Sequence, residues 1–254
     1  MDIEEVIARI TQEVLVRIQT GQAVAEAEKY AAETGLNDPG ADVAYAVENS
    51  ILDPDATADK IIKACKDTKE CRMVSICVSP YYVPLAVEEL RNSGVKVCVA
   101  IGFPQGAVST AAKVTEAKEA IRNGAEEIDV TMNVLAIKNG AISEAVRDLK
   151  EVVDVARGKA IVKAIYEQSI YSDAEKLAAL NVAKSAGADF VKISNALTGK
   201  NAMVEDVRFV RDVLGPGIGI KIDGNITTAK TAKELLAAGA TRCGSGRAVQ
   251  IIKG

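Results

Sequence analysis

Histidine is missing from all 254 residues of this chain, and that absence narrows the chemistry before any motif is considered. Without imidazole there is no Ser-His-Asp triad, no Cys-His pair and none of the histidine-based sites that hold most catalytic zinc ions. Metal-dependent aldol chemistry usually relies on histidine ligands too, so it is not expected here. Carboxylates, lysines, hydroxyls and backbone amides remain. The five cysteines are an odd number and include no CxxC pair, which argues for reduced, mostly buried thiols rather than zinc or redox work. No apolar run reaches the ~18 residues a membrane span needs. The opening residues are acidic rather than basic and then apolar, so no signal peptide is expected and a cytoplasmic location follows. A net charge of −4 leaves no basic footprint for nucleic acid.

Against these absences stands a regular alternation that begins near residue 46. Eight short apolar runs read as strands: AVENSIL (46–52), MVSICVS (73–79), VKVCVAIGF (95–103), EIDVTM (127–132), AIVKAIYE (160–167), FVKIS (190–194), IGIKID (218–223) and TRCGS (241–245). Between them lie segments of helical periodicity such as ADKIIKACKDTKE and ISEAVRDLKEVVDVA. Strand and helix alternating eight times, with nearly continuous apolar strands, predicts a single parallel (β/α)8 barrel, an α/β fold. The doubly wound alternative lacks its GxGxxG after the first strand. The boundaries expected are a helix and linker over 1–22 and a barrel domain over 23–254.

In such a barrel, chemistry gathers at the C-terminal ends of the strands. That rule collects Glu48, Cys77, Asp129, Asn133, Lys163, Glu167, Lys192 and Lys221. Three consecutive strands each offer a lysine, and period-two alternation puts Lys163, Ile165 and Glu167 on one face. Three ammonium groups in a low-dielectric barrel predict at least one depressed pKa, and Asp129 and Glu167 are candidates for moving protons. Lys192 sits in the centre of GADFVKISN (187–195). A free amine facing a pocket there is a nucleophile for Schiff-base chemistry on a carbonyl. The plainer readings are a lysine that snorkels outward or an inert buried ion-pair network.

From about residue 46 to 252 the chain resembles the deoxyribose-phosphate aldolases, class I Schiff-base enzymes on this barrel. The matching segments are ILDPDAT (51–57), VSICVSPYYVPLA (74–86), GVKVCVAIGFPQGAVST (94–110), EAKEAIRNGAEEIDV (116–130), GADFVKIS (187–194), VEDVRFVR (204–211) and AGATRCGSG (238–246). The resemblance implies reversible cleavage of 2-deoxyribose 5-phosphate into acetaldehyde and glyceraldehyde 3-phosphate, without a cofactor. It implies Lys192 as the Schiff-base lysine, Lys221 as the second lysine that lowers its pKa and Asp129 as the proton-transfer carboxylate. The substrate-contacting set expected is Lys163, Glu167, Cys77, Asn133, Ser194, Gly224, Gly244, Ser245, Gly246 and Arg247, in a homodimer.

Four places depart from the family pattern. Glu48-Asn49-Ser50 stands for Asp-His-Thr, and Ile193-Ser194-Asn195-Ala196 for Thr-Ser-Thr-Gly. Ile222-Asp223-Gly224-Asn225 stands for a small residue, Ser and Gly-Gly, and Gly244-Ser245-Gly246-Arg247 for Gly-Thr-Ser-Ser. The last three lie where the family holds the substrate phosphate. Asp223 is expected to repel that phosphate unless Arg247 neutralises it, with Lys200 as a further compensating charge. A different sugar or sugar phosphate, and a binding barrel without turnover, are the alternatives.

Residues 1–20 carry apolar side chains at Ile3, Val6, Ile7, Ile10, Val14, Leu15 and Ile18, the stripe of an amphipathic helix. It reads either as a cap or oligomer contact of the barrel, or as a peptide that docks on a microcompartment shell protein.

Overall fold

The computed structural model describes residues 43–254, and the helix expected over 1–20, the linker after it and the turn at 37–40 lie outside the described residues. Eight parallel strands, β1 Val47–Ile51, β2 Ser75–Val78, β3 Lys96–Ile101, β4 Glu127–Thr131, β5 Ile161–Glu167, β6 Phe190–Ser194, β7 Gly219–Asp223 and β8 Arg242–Ser245, hydrogen-bond in chain order and close β8 onto β1. The helices are α1 Ala58–Glu70, α2 Val83–Glu89, α3 Thr110–Arg122, α4 Val134–Lys138, α5 Ile142–Ala156, α6 Asp173–Ala186, α7 Val204–Leu214, α8 Ala229–Ala237 and α9 Ala248–Lys253. Every expected strand is present, β6 with the expected bounds and the others trimmed by a residue or two at one or both ends.

Local chemistry starts and stops the helices where the sequence suggests. Ser172 and Glu175 form a reciprocal capping box at the start of α6, and Gly187 closes it in the left-handed conformation at φ 80°. Thr57 accepts from the Lys60 N–H and caps α1. The short α4 was not legible as a helix, because MNVLAIKNG offers too few residues for a helical period. Its start is fixed by Asn133, whose side chain accepts from the Ala136 N–H at 3.0 Å.

The two faces of the sheet differ sharply. Outward-facing strand residues such as Ile76, Val99, Ile128, Val130, Val162, Ala164, Val191, Ile193, Ile220 and Ile222 are buried against the helices and form the hydrophobic core. Asn49 also faces outward and donates to Thr68 Oγ1 of α1 at 3.0 Å, so this departure from the family pattern is a helix anchor. The inward face, by alternation, carries Glu48, Cys77, Cys98, Glu127, Asp129, Lys163, Lys192, Lys221, Asp223 and Arg242, most of them fully buried.

Candidate active site

Inside the barrel, four carboxylates meet four cations in two tiers. In the lower tier, Arg242 grips Glu127 with bonds of 2.8 and 2.7 Å. Beside it the Lys163 ammonium lies 2.7 Å from Glu127 Oε2, 2.9 Å from Asp129 Oδ1 and 3.3 Å from Glu48 Oε2. Strand register explains the step upward. Lys163 pairs with Phe190, while Lys192 pairs with Ile165 and Lys221, which puts Lys192 and Lys221 one layer nearer the C-terminal mouth.

In the upper tier, Asp129 Oδ2 bridges the two amines, at 2.7 Å from Lys221 and 3.0 Å from Lys192. Lys221 also bonds Glu48 Oε1. Lys192 reaches Asp223 Oδ2 at 2.8 Å, and the Phe103 ring from the loop after β3 stands 6.0 Å from its ammonium. Cys98 donates its thiol to Asp129 Oδ1 at 3.1 Å.

These contacts reverse one expectation from the sequence. Burial disfavours the Lys192 charge, but Asp223 and then Asp129 outweigh it against repulsion from Lys221, and the amine is held above the ordinary lysine range. Lys163 and Lys221 are pushed up in the same way, with burial overridden first by Asp129. The carboxylates move oppositely. Burial alone would raise Asp129 and Glu48, yet Lys163 and Lys221 outweigh it, holding Asp129 well below the usual carboxylate range and Glu48 at about 2. These contacts favour the charged forms of Lys163, Lys192, Lys221, Glu48 and Asp129.

Of the expected site residues, the barrel brings Lys192, Lys221 and Asp129 into direct contact. Lys163 belongs to the layer beneath, fully buried among three carboxylates, and does not reach the mouth. Cys77 is buried with its thiol 3.9 Å from Asp129 Oδ2. Asn133 has its oxygen committed to capping α4. Ser194 Oγ accepts from the Ala196 N–H, and Ser245 Oγ donates to Ile226 O at 2.6 Å while accepting from the Arg247 N–H. Gly224 packs against backbone, where a Cβ would come within 2.9 Å of Ala202 N. Gly246 leads into Arg247, whose guanidinium bonds Asn225 and makes no pair with Asp223. The partner of Asp223 is Lys192. Gly244 makes that possible, since a Cβ there would overlap Asp223 Oδ1. Glu127 and Arg242 were missed, although Glu127 stands two residues before Asp129 on the same face of β4.

At the mouth end of the strands, four polar side chains each keep an atom without a hydrogen bond. Ser50 Oγ, Thr131 Oγ1, Glu167 Oε2 and Asp223 Oδ1 are buried and accept or donate no hydrogen bond within the protein. Each stands two residues past an inward-facing residue on β1, β4, β5 or β7. Glu167 Oε1 accepts from the Leu197 N–H at 3.1 Å, which ties the loop after β6 to β5. Buried polar groups are normally satisfied, so unpartnered atoms at a barrel mouth are free to take hydrogen bonds from water or a polar ligand. Beside it a cavity of about 660 Å³ opens among Gln168, Ser169, Asn195, Lys200 and Asn201.

Glu48, Cys77, Cys98 and Asp129 present donor atoms within 4.8 Å of one another. Their oxygens are already bonded to Lys163, Lys192 and Lys221, so a metal ion there would compete with three ammonium groups.

A parallel barrel with an amine at its C-terminal mouth suits carbonyl chemistry, and it is the relatives of the chain that make it a lyase. The model of the DeoC/LacD family aldolases matches residues 19–249, and the chain belongs to that family. It is 40% identical over 207 residues to a deoxyribose-phosphate aldolase of Clostridium tetani, covering 82% of this chain and 96% of that one. With the deoxyribose-phosphate aldolase of a Geobacillus species it shares 42% over 212 residues, 84% and 95% of the two chains. Among solved structures, the tetrameric deoxyribose phosphate aldolase of Aeropyrum pernix superposes with a TM-score of 0.80 at 26% identity, covering 87% of this chain and 94% of that one. No helix among the described residues is long and apolar enough to cross a membrane.

Proposed function

We propose that this aldolase cleaves 2-deoxyribose 5-phosphate reversibly into acetaldehyde and glyceraldehyde 3-phosphate through a Schiff base on Lys192. The observation that carries the reading is the position of the Lys192 amine, at the mouth end of the ion network, where strand ends carry unpartnered polar atoms. Lys192 attacks the aldehyde carbon, the carbinolamine loses water, and the resulting iminium accepts the electron pair of the breaking C–C bond. Lys221 keeps the Lys192 charge from being stabilised further. Asp129 bridges both amines, so a proton leaving one can be replaced through the other. The orphaned oxygens receive the sugar hydroxyls. The names of the relatives support the substrate.

Sodium borohydride in the presence of acetaldehyde should leave a reduced ethyl adduct on the peptide that contains Lys192. Retro-aldol turnover of 2-deoxyribose 5-phosphate should accompany it. An adduct on Lys163, or none, would sink the assignment. A second reading, a family aldolase for another sugar, is favoured by one observation: Ser245 Oγ and the Arg247 guanidinium, both expected at the phosphate, are engaged with Ile226 and Asn225. A panel of phosphorylated and unphosphorylated 2-deoxyaldoses separates the two. A homodimer belongs to the same proposal, as does a role for residues 1–20 either as a cap or oligomer contact of the barrel or as a peptide that docks on a shell protein. Deletion of residues 1–20 separates the two: a fall in melting temperature or a shift in oligomer size assigns the cap or contact, whereas unchanged stability, oligomer size and rate with loss of co-purification with shell proteins assigns docking.

A further inference from the structure

Two carboxylates at 3.0 and 2.8 Å favour the ammonium form of Lys192, and a base has to remove a proton before the amine can attack. The two are not equivalent. Asp129 is fully buried and its oxygens are crowded by donors: Lys221 and Lys192 on Oδ2, Lys163 and Cys98 on Oδ1. A proton placed on it would break several charge-assisted bonds at once, and it has no opening to the pocket. Asp223 is its counterpart on the mouth side. Its Oδ2 lies 2.8 Å from Lys192 Nζ, its side chain is 19% exposed, and its Oδ1 accepts no hydrogen bond, with Lys221 3.9 Å away. Gly244 leaves the space in which that free oxygen sits.

The charged and titratable groups around the pair are Lys192 of β6, Lys221 of β7, Asp129 of β4 and Glu48 of β1. The buried thiols Cys77 of β2 and Cys243 of β8 complete the set.

Resting on the Schiff-base reading above, we propose that Asp223 is a catalytic acid and base of this chain, carrying the Lys192 proton to the departing hydroxyl. Lys192 gives one proton to Asp223 Oδ2, and the freed lone pair forms the C–N bond while the carbonyl π pair moves to oxygen. That oxygen takes the proton back from Asp223, which yields a carbinolamine with a charged nitrogen. The nitrogen passes a second proton to Asp223, and Asp223 delivers it to the hydroxyl, which leaves as water as the C=N bond forms. The sum is ammonium plus aldehyde giving iminium plus water, with Asp223 returned to its carboxylate. The carboxylate at this position thus acts on the nucleophile, where the sequence suggested an effect on a remote phosphate.

The test is rapid-quench Schiff-base formation by the full chain with acetaldehyde and borohydride over a range of pH, read on wild type, Asp223→Asn and Asp223→Ala. Wild type should label Lys192, and both variants should label the same lysine with a rate roughly 10- to 100-fold lower near neutral pH, in the range typical of a lost acid–base group. Formate or acetate should restore part of the rate to Asp223→Ala, which has room for it. Thermal unfolding confirms equal folded fractions, and Asp223→Ser carries the same comparison if the Asn variant does not fold. An Asp223→Asn rate that is unchanged or faster, with its acid limb moved to lower pH, would reduce Asp223 to a charge partner and overturn the proposal. So would a lower KM for the phosphorylated substrate at unchanged kcat, which is the signature of removed repulsion alone. Wild type that gives no Lys192 adduct overturns the Schiff-base reading itself, a result distinct from either.

Discussion

The two tiers of the barrel interior use the same groups, amines and carboxylates a few ångströms apart, and differ in saturation. In the lower tier, Glu127 is shared by Arg242 and Lys163, Lys163 also pairs with Asp129 and Glu48, and every member is satisfied within the protein and away from the mouth. In the upper tier, Lys192 is held by two carboxylates, one of which, Asp223, is partly exposed and keeps an oxygen without a hydrogen bond. A closed network stabilises a fold against loss of any member; an open one leaves a group able to exchange protons and accept a ligand. The contrast assigns structure to one tier and chemistry to the other.

The sharpest break comes from replacing one lysine in each tier. Lys192→Leu should abolish turnover and borohydride labelling while the protein remains folded. Lys163→Met should retain labelling at Lys192 but lose about 3–5 kcal/mol of stability, because three carboxylates lose a shared buried partner. Denaturant unfolding and peptide mapping together read both outcomes, and equal loss of labelling in the two variants would erase the distinction.

Lys221 joins the tiers. Its charge lowers the Lys192 pKa, so Lys221→Leu lets that amine rise further, leaving less free amine at neutral pH. A rate loss of roughly 10²-fold is expected there, with partial recovery under alkaline conditions. Loss that is uniform across pH would instead assign Lys221 a direct proton-transfer step.

Acid should weaken the network at Glu48 and Asp129, the two carboxylates held below their ordinary range. The Glu48 carboxyl sits at about 2 in the folded chain against an ordinary 4.5. Its contribution is complete above pH 4.5 and disappears as pH falls toward 2, and Asp129, also depressed, adds in the same direction. Melting temperature measured across that window should fall steeply in wild type and less steeply in Glu48→Gln. Parallel slopes would place the acid sensitivity elsewhere.

The smallest effect lies outside both tiers. Asn133→Ala should cost about 1 kcal/mol through loss of the α4 cap and leave kcat/KM within about twofold. A large drop in kcat/KM would return Asn133 to the substrate-binding set.

Much of this molecule was legible as one-dimensional pattern. Eight apolar runs separated by helical periods determine a parallel barrel, because each strand buries both faces and each connection has the length of a crossover. The same pattern puts Lys163, Lys192 and Lys221 on the inward face, and period two alone could have added Glu127 to Asp129. The sign of the lysine shift was not legible. Three lysines were set against Asp129 and Glu167, but Glu167 turns to the Leu197 N–H, while Glu48, Glu127 and Asp223 reach the amines. That census depends on closure of β8 onto β1, which brings Glu48 to Lys221 across 173 residues of chain. Alternation along a strand tells which face a side chain takes. Which opposite charge it meets, and hence its protonation, is set by Coulomb interactions over a few ångströms, and only the closed barrel decides those neighbours.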